Sequence, residues 1–197
     1  MKTSIFIILL AASTMLGVAQ ETTPVYKNEV RLNFIQLFRN TFQVDYERAI
    51  TEKSSLVISG GLIYKKTDNL DVLGGVGEVQ YRINRIYISK NEKNERKLTV
   101  YAGPFTKFKY HEDEYNHFVW VTQGNYVPSL KTDYYSTLSV GGLVGLKFSL
   151  LKYIFIDMNF GGCVKFSETN AGRSENIFQD SYSGIAPAGN ISFGVKF

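Results

Sequence analysis

The sequence predicts an all-β chain that folds as an eight-stranded antiparallel up-and-down transmembrane β-barrel. Three observations carry this prediction. Eight segments alternate apolar and polar residues, which is the pattern of strands with one apolar face. Most connections between them alternate between short and long, as in membrane barrels. The last segment, residues 186–197, alternates to its end and stops on Phe197.

The N-terminal residues read as a secretory signal peptide. Lys2 precedes an unbroken apolar run over residues 5–10, and Gly17 and Ala19 are small residues at the expected cleavage site. We therefore expect residues 1–19 to be removed and residues 20–197 to form one barrel domain. The alternative is an uncleaved anchor, but the apolar core is short for a span of about 20 residues.

The first four strands are predicted over residues 28–37, 41–50, 56–64 and 74–86. In each of them apolar residues occupy alternate positions and share one face. These apolar positions are Val30, Leu32, Phe34, Phe42, Val44, Tyr46, Leu56, Ile58, Leu62, Tyr64, Val79, Tyr81 and Ile83. Segments of about ten alternating residues separated by turns are the signature of membrane barrel strands.

The last four strands are predicted over residues 98–110, 134–149, 154–166 and 186–197. Their apolar faces carry Val100, Ala102, Phe108, Tyr110, Leu138, Val140, Val144, Leu146, Phe148, Ile156, Met158, Phe160, Val164, Phe166, Ile191, Phe193, Val195 and Phe197. Pro104 interrupts the fifth strand, where a closed barrel has no free edge to tolerate it. A bulge at this point or a shorter strand would resolve the conflict.

The connections predict which end of the barrel faces outward. Those at residues 51–55, 90–97 and 150–153 are short, whereas those at 111–133 and 167–185 are long. In outer-membrane barrels the short turns face the periplasm and the long loops face the exterior. Residues 38–40 are an exception, because this connection is tight where a loop is expected.

The polar faces carry charges of both signs, which predicts a polar network inside the barrel. Its expected members are Arg31, Asp45, Glu47, Glu78, Arg82, Lys107, Lys147, Asp157 and Lys165. An eight-stranded barrel is only wide enough for its own side chains, so these charges can pair across it. The alternative is a soluble lipocalin-like carrier with the apolar face inside. Tyrosines near strand ends favour the membrane barrel, where they would form interfacial girdles.

One stretch also carries a family resemblance. Residues 28–50 followed by 55–64 resemble the opening hairpin of small eight-stranded outer-membrane barrels of unassigned function, which are OmpA-barrel-like. In these, one strand ends in Asn and an aromatic residue, matched by Asn33 and Phe34, and the next ends in Tyr-Glu-Arg, matched by Tyr46, Glu47 and Arg48. The resemblance implies the outer membrane of a Gram-negative cell envelope, contact with its lipids, and assembly machinery that reads Phe197.

Candidate chemistry is sparse. His111 and His117 flank three acidic residues and form a weak candidate metal site, but their spacing does not match H-E-x-x-H. No cofactor motif is present, and the mixed charges, net +4, give no polybasic tract for nucleic acid. The single cysteine, Cys163, excludes an internal disulfide framework. Asp45 or Asp157 could serve as a carboxylate base, but a lumen ion pair is the preferred interpretation.

The sequence thus predicts a non-enzymatic outer-membrane barrel whose lumen is plugged by side chains. We expect a structural or surface-interaction role, with an extracellular ligand possible through residues 111–133 and 167–185. A lipid-acting barrel enzyme of the deacylase or acyltransferase kind is the second hypothesis. The soluble carrier is the third.

Overall fold

The structure is a computed structural model that describes residues 27–90, 97–122, 125–151, 153–172 and 174–197. The signal peptide predicted for residues 1–19 lies outside the described residues. The elements are β1 (Asn28–Asn33), α1 (Phe34–Phe38), β2 (Thr41–Thr51), β3 (Ser54–Thr67), β4 (Leu70–Lys90), β5 (Lys97–Thr122), β6 (Asn125–Ser149), β7 (Ile154–Thr169) and β8 (Gly184–Lys196). Each strand pairs with its chain neighbours, and β1 pairs with β8. The eight-stranded antiparallel up-and-down barrel is therefore confirmed.

The barrel closes between the first and last strands. Val30 lies opposite Val195, and Leu32 lies opposite Phe193. The backbone N–H of Phe197 donates to the Asn28 carbonyl at 2.9 Å, and that of Asn28 donates to the Phe197 carbonyl at 3.2 Å. The C-terminal residue thus completes the ladder, while its ring is 60% exposed on the outer face.

The two faces of the wall differ sharply in chemistry. Large apolar side chains point outward and are exposed, including Val44, Leu62, Val79, Leu138, Val144, Phe160, Phe166, Ile191 and Phe193. The alternate positions point inward, and most of the buried polar side chains lie there. The period of two in a strand puts these sets on opposite sides of the sheet. The barrel is therefore apolar outside and largely polar inside.

An apolar layer crosses the middle of the interior. It consists of Tyr101, Phe105, Leu143, Cys163 and Ala186, all buried. The sequence analysis did not predict this layer, because the predicted lumen network consists of charged side chains. The reason is that β5 and β6 are apolar on both faces at this height, so alternation gives no signal there.

The strands reach two ends, which we name by their connections. The turn end holds the connections at residues 51–54 and 149–154 together with both termini of the described barrel. The loop end holds those at 34–40, 67–70, 122–125 and 169–184. Within the described ranges no helix is long and apolar enough to cross a bilayer.

The predicted end of β1 is wrong. β1 ends at Asn33 rather than at residue 37, and residues 34–38 form the short helix α1 with Gln36 buried. The connection between β1 and β2 is therefore seven residues long, residues 34–40, rather than the three residues predicted. The pattern Phe34, Gln36, Phe38 fits a strand or a single helical turn equally well, and it therefore misled the prediction.

The predicted long loop over residues 111–133 is also wrong. β5 and β6 stay paired through Glu112–Tyr134 and Asn116–Leu130 to Thr122–Asn125, so this segment is an extended hairpin. In the part of the hairpin whose side chains are described, residues 111–116 and 129–134, polar residues occupy both faces, and this removes the alternation by which strands are recognised. The other predicted loop, 167–185, shortens to residues 170–183 between β7 and β8.

Pro104 lies within β5 with neither the bulge nor the shorter strand that the sequence analysis expected. Its pairing with β4 is interrupted between the Gln80–Phe105 and Ile83–Ala102 pairs, but the register is the same on both sides of the gap. On the β6 side Pro104 remains opposite Gly142. A proline lacks the N–H that the ladder needs, so β5 loses pairing locally and continues straight through.

Candidate functional site

Seven charged side chains meet across the barrel interior in its turn-end half. We call them the central charge cluster: Glu29, Arg31, Asp45, Glu47, Arg82, Lys147 and Asp157. They come from five strands, β1, β2, β4, β6 and β7, and the inward positions of the alternation aim them at one another. The cluster holds three cations and four carboxylates, nearly all of them removed from solvent.

Asp157 joins the two arginines. Its Oδ2 lies 2.6 Å from Nη1 of Arg31 and 2.6 Å from Nη1 of Arg82. Its Oδ1 accepts a hydrogen bond of 2.6 Å from the Tyr101 hydroxyl. All four side chains are buried. An isolated buried carboxylate would be very costly, so this full set of partners is what allows Asp157 to remain at the centre.

Glu47 is the second shared carboxylate. Its Oε2 lies 2.8 Å from Arg31 Nη1, 3.0 Å from Arg82 Nη1 and 2.9 Å from Lys147 Nζ. Its Oε1 accepts a 2.6 Å hydrogen bond from the Ser55 hydroxyl. Glu47 and Asp157 therefore hold the two guanidinium groups between them, across the narrow diameter of the barrel.

Polar neighbours extend the cluster to the wall. Arg31 Nε lies 3.0 Å from Asp45 Oδ2, and Asn33 donates to Oδ1 of the same carboxylate at 2.8 Å. Arg82 donates through Nε and Nη2 to the Gln80 amide oxygen, at 3.0 and 2.9 Å. Lys147 also donates to Glu29 near the turn end. Charge-assisted bonds of this kind are stronger than neutral ones.

Tyr101 packs the cluster against the apolar layer. The Arg82 guanidinium lies over its ring, 4.1 Å from the centroid, which is a favourable cation–π distance. Gly145 makes room for this ring on the neighbouring strand. A Cβ atom added at Gly145 would lie 2.2 Å from Tyr101 Cζ, so no side chain fits there while the tyrosine keeps its place.

A second, smaller group of charges lies near the loop end. Lys107 Nζ is 3.3 Å from Glu78 Oε2, and Lys109 Nζ is 2.6 Å from Asp180 Oδ2. Asp180 belongs to loop 170–183, and its carbonyl accepts a 2.8 Å hydrogen bond from the Thr137 hydroxyl. Loop 170–183 is thereby anchored inside the mouth of the barrel.

The nine residues predicted for the lumen divide between these two groups. All nine side chains point inward. Six of them belong to the central charge cluster: Arg31, Asp45, Glu47, Arg82, Lys147 and Asp157. The other three, Glu78, Lys107 and Lys165, lie nearer the loop end. Sequence reasoning missed Glu29, Tyr101 and Asp180. Glu29 follows the alternation of β1 and could have been found; the other two depend on long-range packing.

The predicted histidine pair is not brought together as a described site. His111 stacks on Tyr135 with ring centroids 4.8 Å apart, and its Nε2 lies 3.6 Å from Asp113 and 3.8 Å from Asp180. The side chain of His117 lies outside the described part of the chain. Among the described residues no group of three His, Cys, Asp or Glu side chains could hold a metal ion.

The environment of Asp180 favours its charged form. Burial alone would raise the pKa of this carboxyl, but the Lys109 ammonium, supported by His111 and Arg39, outweighs burial and lowers the pKa below 3.8. Asp180 is therefore deprotonated and negatively charged at the loop end. The Lys109 contact holds loop 170–183 in place as an ion pair.

The carboxylates of the central charge cluster are engaged in binding cations. Asp45 and Asp157, the two candidate bases, both contact Arg31. A general base needs a lone pair within reach of a substrate proton. Here both carboxylate oxygens of Asp157 accept hydrogen bonds, from Arg31 and Arg82 at Oδ2 and from Tyr101 at Oδ1. The geometry of this group suits cross-barrel binding of strands better than proton transfer.

Comparison with known proteins finds a similar solved structure. No protein-family model matches the chain, and no curated protein matches it. Among solved structures the chain is similar to the N-terminal β-barrel domain of Pseudomonas aeruginosa OprF. The identity is 11%, the match covers 87% of this chain and 98% of that one, and the TM-score is 0.38. The eight-stranded fold is read from the strand pairing of this chain itself.

Proposed function

We propose that the chain is an integral outer-membrane β-barrel with a closed interior and a structural or surface-interaction role. The observation that carries the proposal is the distribution of polarity across the wall. Large apolar side chains cover the outward face in the part of the wall whose side chains are described, and the charges of the central charge cluster lie inside and are paired. In lipid every strand edge must be satisfied, and a closed barrel achieves this. A lipocalin-like carrier would need the reverse arrangement.

Contact with lipid follows from the same distribution. Exposed aromatic residues lie at two heights on the outer face, Tyr46 and Tyr153 near the turn end and Tyr64, Tyr110 and Tyr134 near the loop end. Aromatic girdles at the two interfaces are typical of membrane barrels. The aliphatic residues between these heights, such as Val79, Val140 and Val144, would face the hydrocarbon.

The interior supports a barrel that does not conduct. The central charge cluster and the apolar layer lie one above the other, and their side chains are buried. In planar bilayers the purified protein should show no stable open channel. Reproducible ohmic conductance at neutral pH would contradict the closed interior and would favour a pore.

The loop end is the surface that we propose for contacts outside the cell. It carries the β5–β6 hairpin and loop 170–183, whereas the turn-end connections at residues 51–54 and 149–154 are short. Glu175→Cys, at an exposed loop position, should react in whole cells with a membrane-impermeant maleimide. Lys53→Cys at the turn end should react only after lysis, and the wild-type chain, whose one thiol at Cys163 is buried, gives the background. Labelling of Lys53→Cys alone would invert the orientation.

The barrel assembly machinery is a proposed partner through Phe197. The Phe197 backbone completes the β1–β8 closure, and its ring is exposed on the outer face at the turn end. Deleting Phe197 should sharply lower the amount of chain in the outer membrane. Substituting Tyr at this position keeps an aromatic ring and should preserve assembly. Normal assembly of the truncated chain would count against this role.

We propose no catalytic step for this barrel, because the carboxylates of the central charge cluster bind cations. The competing hypothesis is a lipid-acting enzyme, and mass spectrometry of lipid A distinguishes the two. Lipid A from a deletion strain should be unchanged in acylation. A missing or additional acyl group that is restored by the wild-type gene would favour the enzyme.

A further inference from the structure

A cavity of about 130 Å³ lies between the apolar layer and loop 170–183. Phe105, Leu143 and Cys163 line its apolar side, and Ile177, Phe178 and Asp180 of the loop line its opposite side. For comparison, an apolar cavity of about 150 Å³ holds one benzene molecule. The cavity is therefore slightly smaller than one that holds a single benzene ring.

The wall of this cavity carries more cations than carboxylates. Among the described residues that line it, the cationic side chains are Arg39, Lys107, Lys109 and Lys165, and the carboxylates are Glu78 and Asp180. Two of the cations are used in the pairs Lys107–Glu78, 3.3 Å, and Lys109–Asp180, 2.6 Å. The lining thus has a formal surplus of two positive charges.

Lys165 carries one of the two surplus positive charges. Its ammonium donates to the backbone carbonyls of Ile177, 3.2 Å, and Gln179, 3.4 Å. No described carboxylate forms an ion pair with it. Carbonyl oxygens orient the ammonium but do not neutralise it, and Asp180, the carboxylate that attracts it, is already paired with Lys109. Partial burial of this ammonium is therefore costly. An anion in the cavity would remove that cost.

We propose that this cavity binds a compact organic anion whose apolar body is no larger than a benzene ring, as in benzoate. The anionic group would lie against Lys165, and the apolar body would lie against Phe105 and Leu143. The lining combines apolar side chains with polar and charged ones, so one side of the cavity suits a ring and the other suits an anionic group. The site lies inside the barrel wall and is independent of the surface role proposed above.

The test is a ¹⁹F NMR titration of the purified barrel, in a non-ionic detergent, with 4-fluorobenzoate. The wild-type protein should show saturable binding. Lys165→Gln should weaken it by about tenfold, the factor expected for a hydrogen bond to a charged group. Lys66→Gln removes the same charge from an exposed pair outside the cavity and should leave binding unchanged. Equal affinity in these two variants would overturn the proposal.

Two further measurements keep the result decisive. Ala188→Leu fills the cavity without altering a charge, and it should abolish binding. If one of the two cavity variants, Lys165→Gln or Ala188→Leu, fails to fold, the other decides.

The neutral analogue 4-fluorobenzyl alcohol and inorganic phosphate should both bind at least about tenfold more weakly, because the first lacks the negative charge and the second lacks the apolar ring. Binding of either as tight as that of 4-fluorobenzoate would refute the proposed ligand class.

Discussion

Arg82 on β4 and Asp157 on β7 are 75 residues apart in sequence, yet Nη1 of the arginine lies 2.6 Å from Oδ2 of the aspartate. The contact spans the barrel interior, because β4 and β7 are not neighbours in the sheet. Arg31 makes an equal contact with the same oxygen. Asp157 thereby ties together strands that share no ladder hydrogen bonds, and we regard it as the centre of the closed interior.

Removing the charge of Asp157 should therefore destabilise the barrel strongly. Asp157→Asn leaves Arg31 and Arg82 buried with one shared carboxylate instead of two. Breaking a buried pair in this way typically costs about 3–5 kcal/mol of unfolding free energy. Urea titration of the folded protein in detergent micelles measures that loss.

The matched control is Asp71→Asn. It makes the same substitution in the exposed Lys66–Asp71 pair, whose atoms lie 3.3 Å apart. Exposed ion pairs contribute about 0–1 kcal/mol. Equal losses in the two variants would show that the central charge cluster does not hold the barrel together.

Gly145 should be intolerant of a side chain because of Tyr101. In Gly145→Ala the new Cβ atom would lie 2.2 Å from Tyr101 Cζ, so the ring must move and its bond to Asp157 is lost. Overpacking of this kind costs about 1–3 kcal/mol. Gly142→Ala on the same strand meets nothing closer than 4.0 Å and should be nearly neutral in the same urea titration. Equal stability of both variants would contradict the packing described here.

The part of this arrangement that follows period-two alternation could be predicted from sequence. The inward direction of Arg31, Arg82 and Asp157 is a local property of each strand. Tyr101 was not predicted, because its strand is apolar on both faces at this height. Its hydroxyl donates to Asp157 on a strand that is distant in sequence, and no local pattern indicates that contact. Which inward charges meet depends on strand stagger, which a single sequence does not reveal.

Phe160 tests the outward face. It is 67% exposed on β7, and we expect Phe160→Arg to place a charge in the hydrocarbon at a cost of about 2–4 kcal/mol. Phe38 is 88% exposed in the loop-end connection, where the same substitution should meet water and cost little. Folding titrations in lipid bilayers measure both losses. A similar small effect at the two positions would indicate that the wall does not face lipid.

Asn159 gives a second comparison for the same face. It lies next to Phe160 in the chain but points into the barrel and lines its interior cavity. Asn159→Arg should therefore be much milder than Phe160→Arg. A larger loss at Asn159 would invert the facing of the wall and would favour a lipocalin-like barrel.

Loop 170–183 should loosen in acid. The folded-state pKa of Asp180 is lowered, so the Lys109–Asp180 pair stabilises the loop at pH values above 3.8 and loses that effect as the pH falls through the lower folded value. Cleavage by pepsin near the exposed Phe178 should accelerate in that range. The rate is normalised to that of Asp180→Asn at each pH, since this variant lacks the pair throughout. A constant ratio would contradict the role of Asp180.

The loop end shows where sequence reasoning failed for a physical reason. Asp180 and Lys109 are 71 residues apart, and their contact exists only because loop 170–183 folds back into the barrel mouth. The β5–β6 hairpin was not recognised from the sequence for another reason, since polar residues lie on both faces over residues 111–116 and 129–134. Neither the Lys109–Asp180 contact nor the hairpin shows the period-two alternation that identifies the strands of the barrel wall.

Membrane integration of the barrel is the central claim, and fractionation of cells that express the full chain tests it most directly. We expect the protein to sediment with outer membranes, to resist extraction by alkaline carbonate, and to migrate differently on gels before and after boiling. A closed barrel that resists detergent unfolding accounts for that change in migration. Release into the soluble periplasmic fraction, with one migration position at all temperatures, would contradict the account.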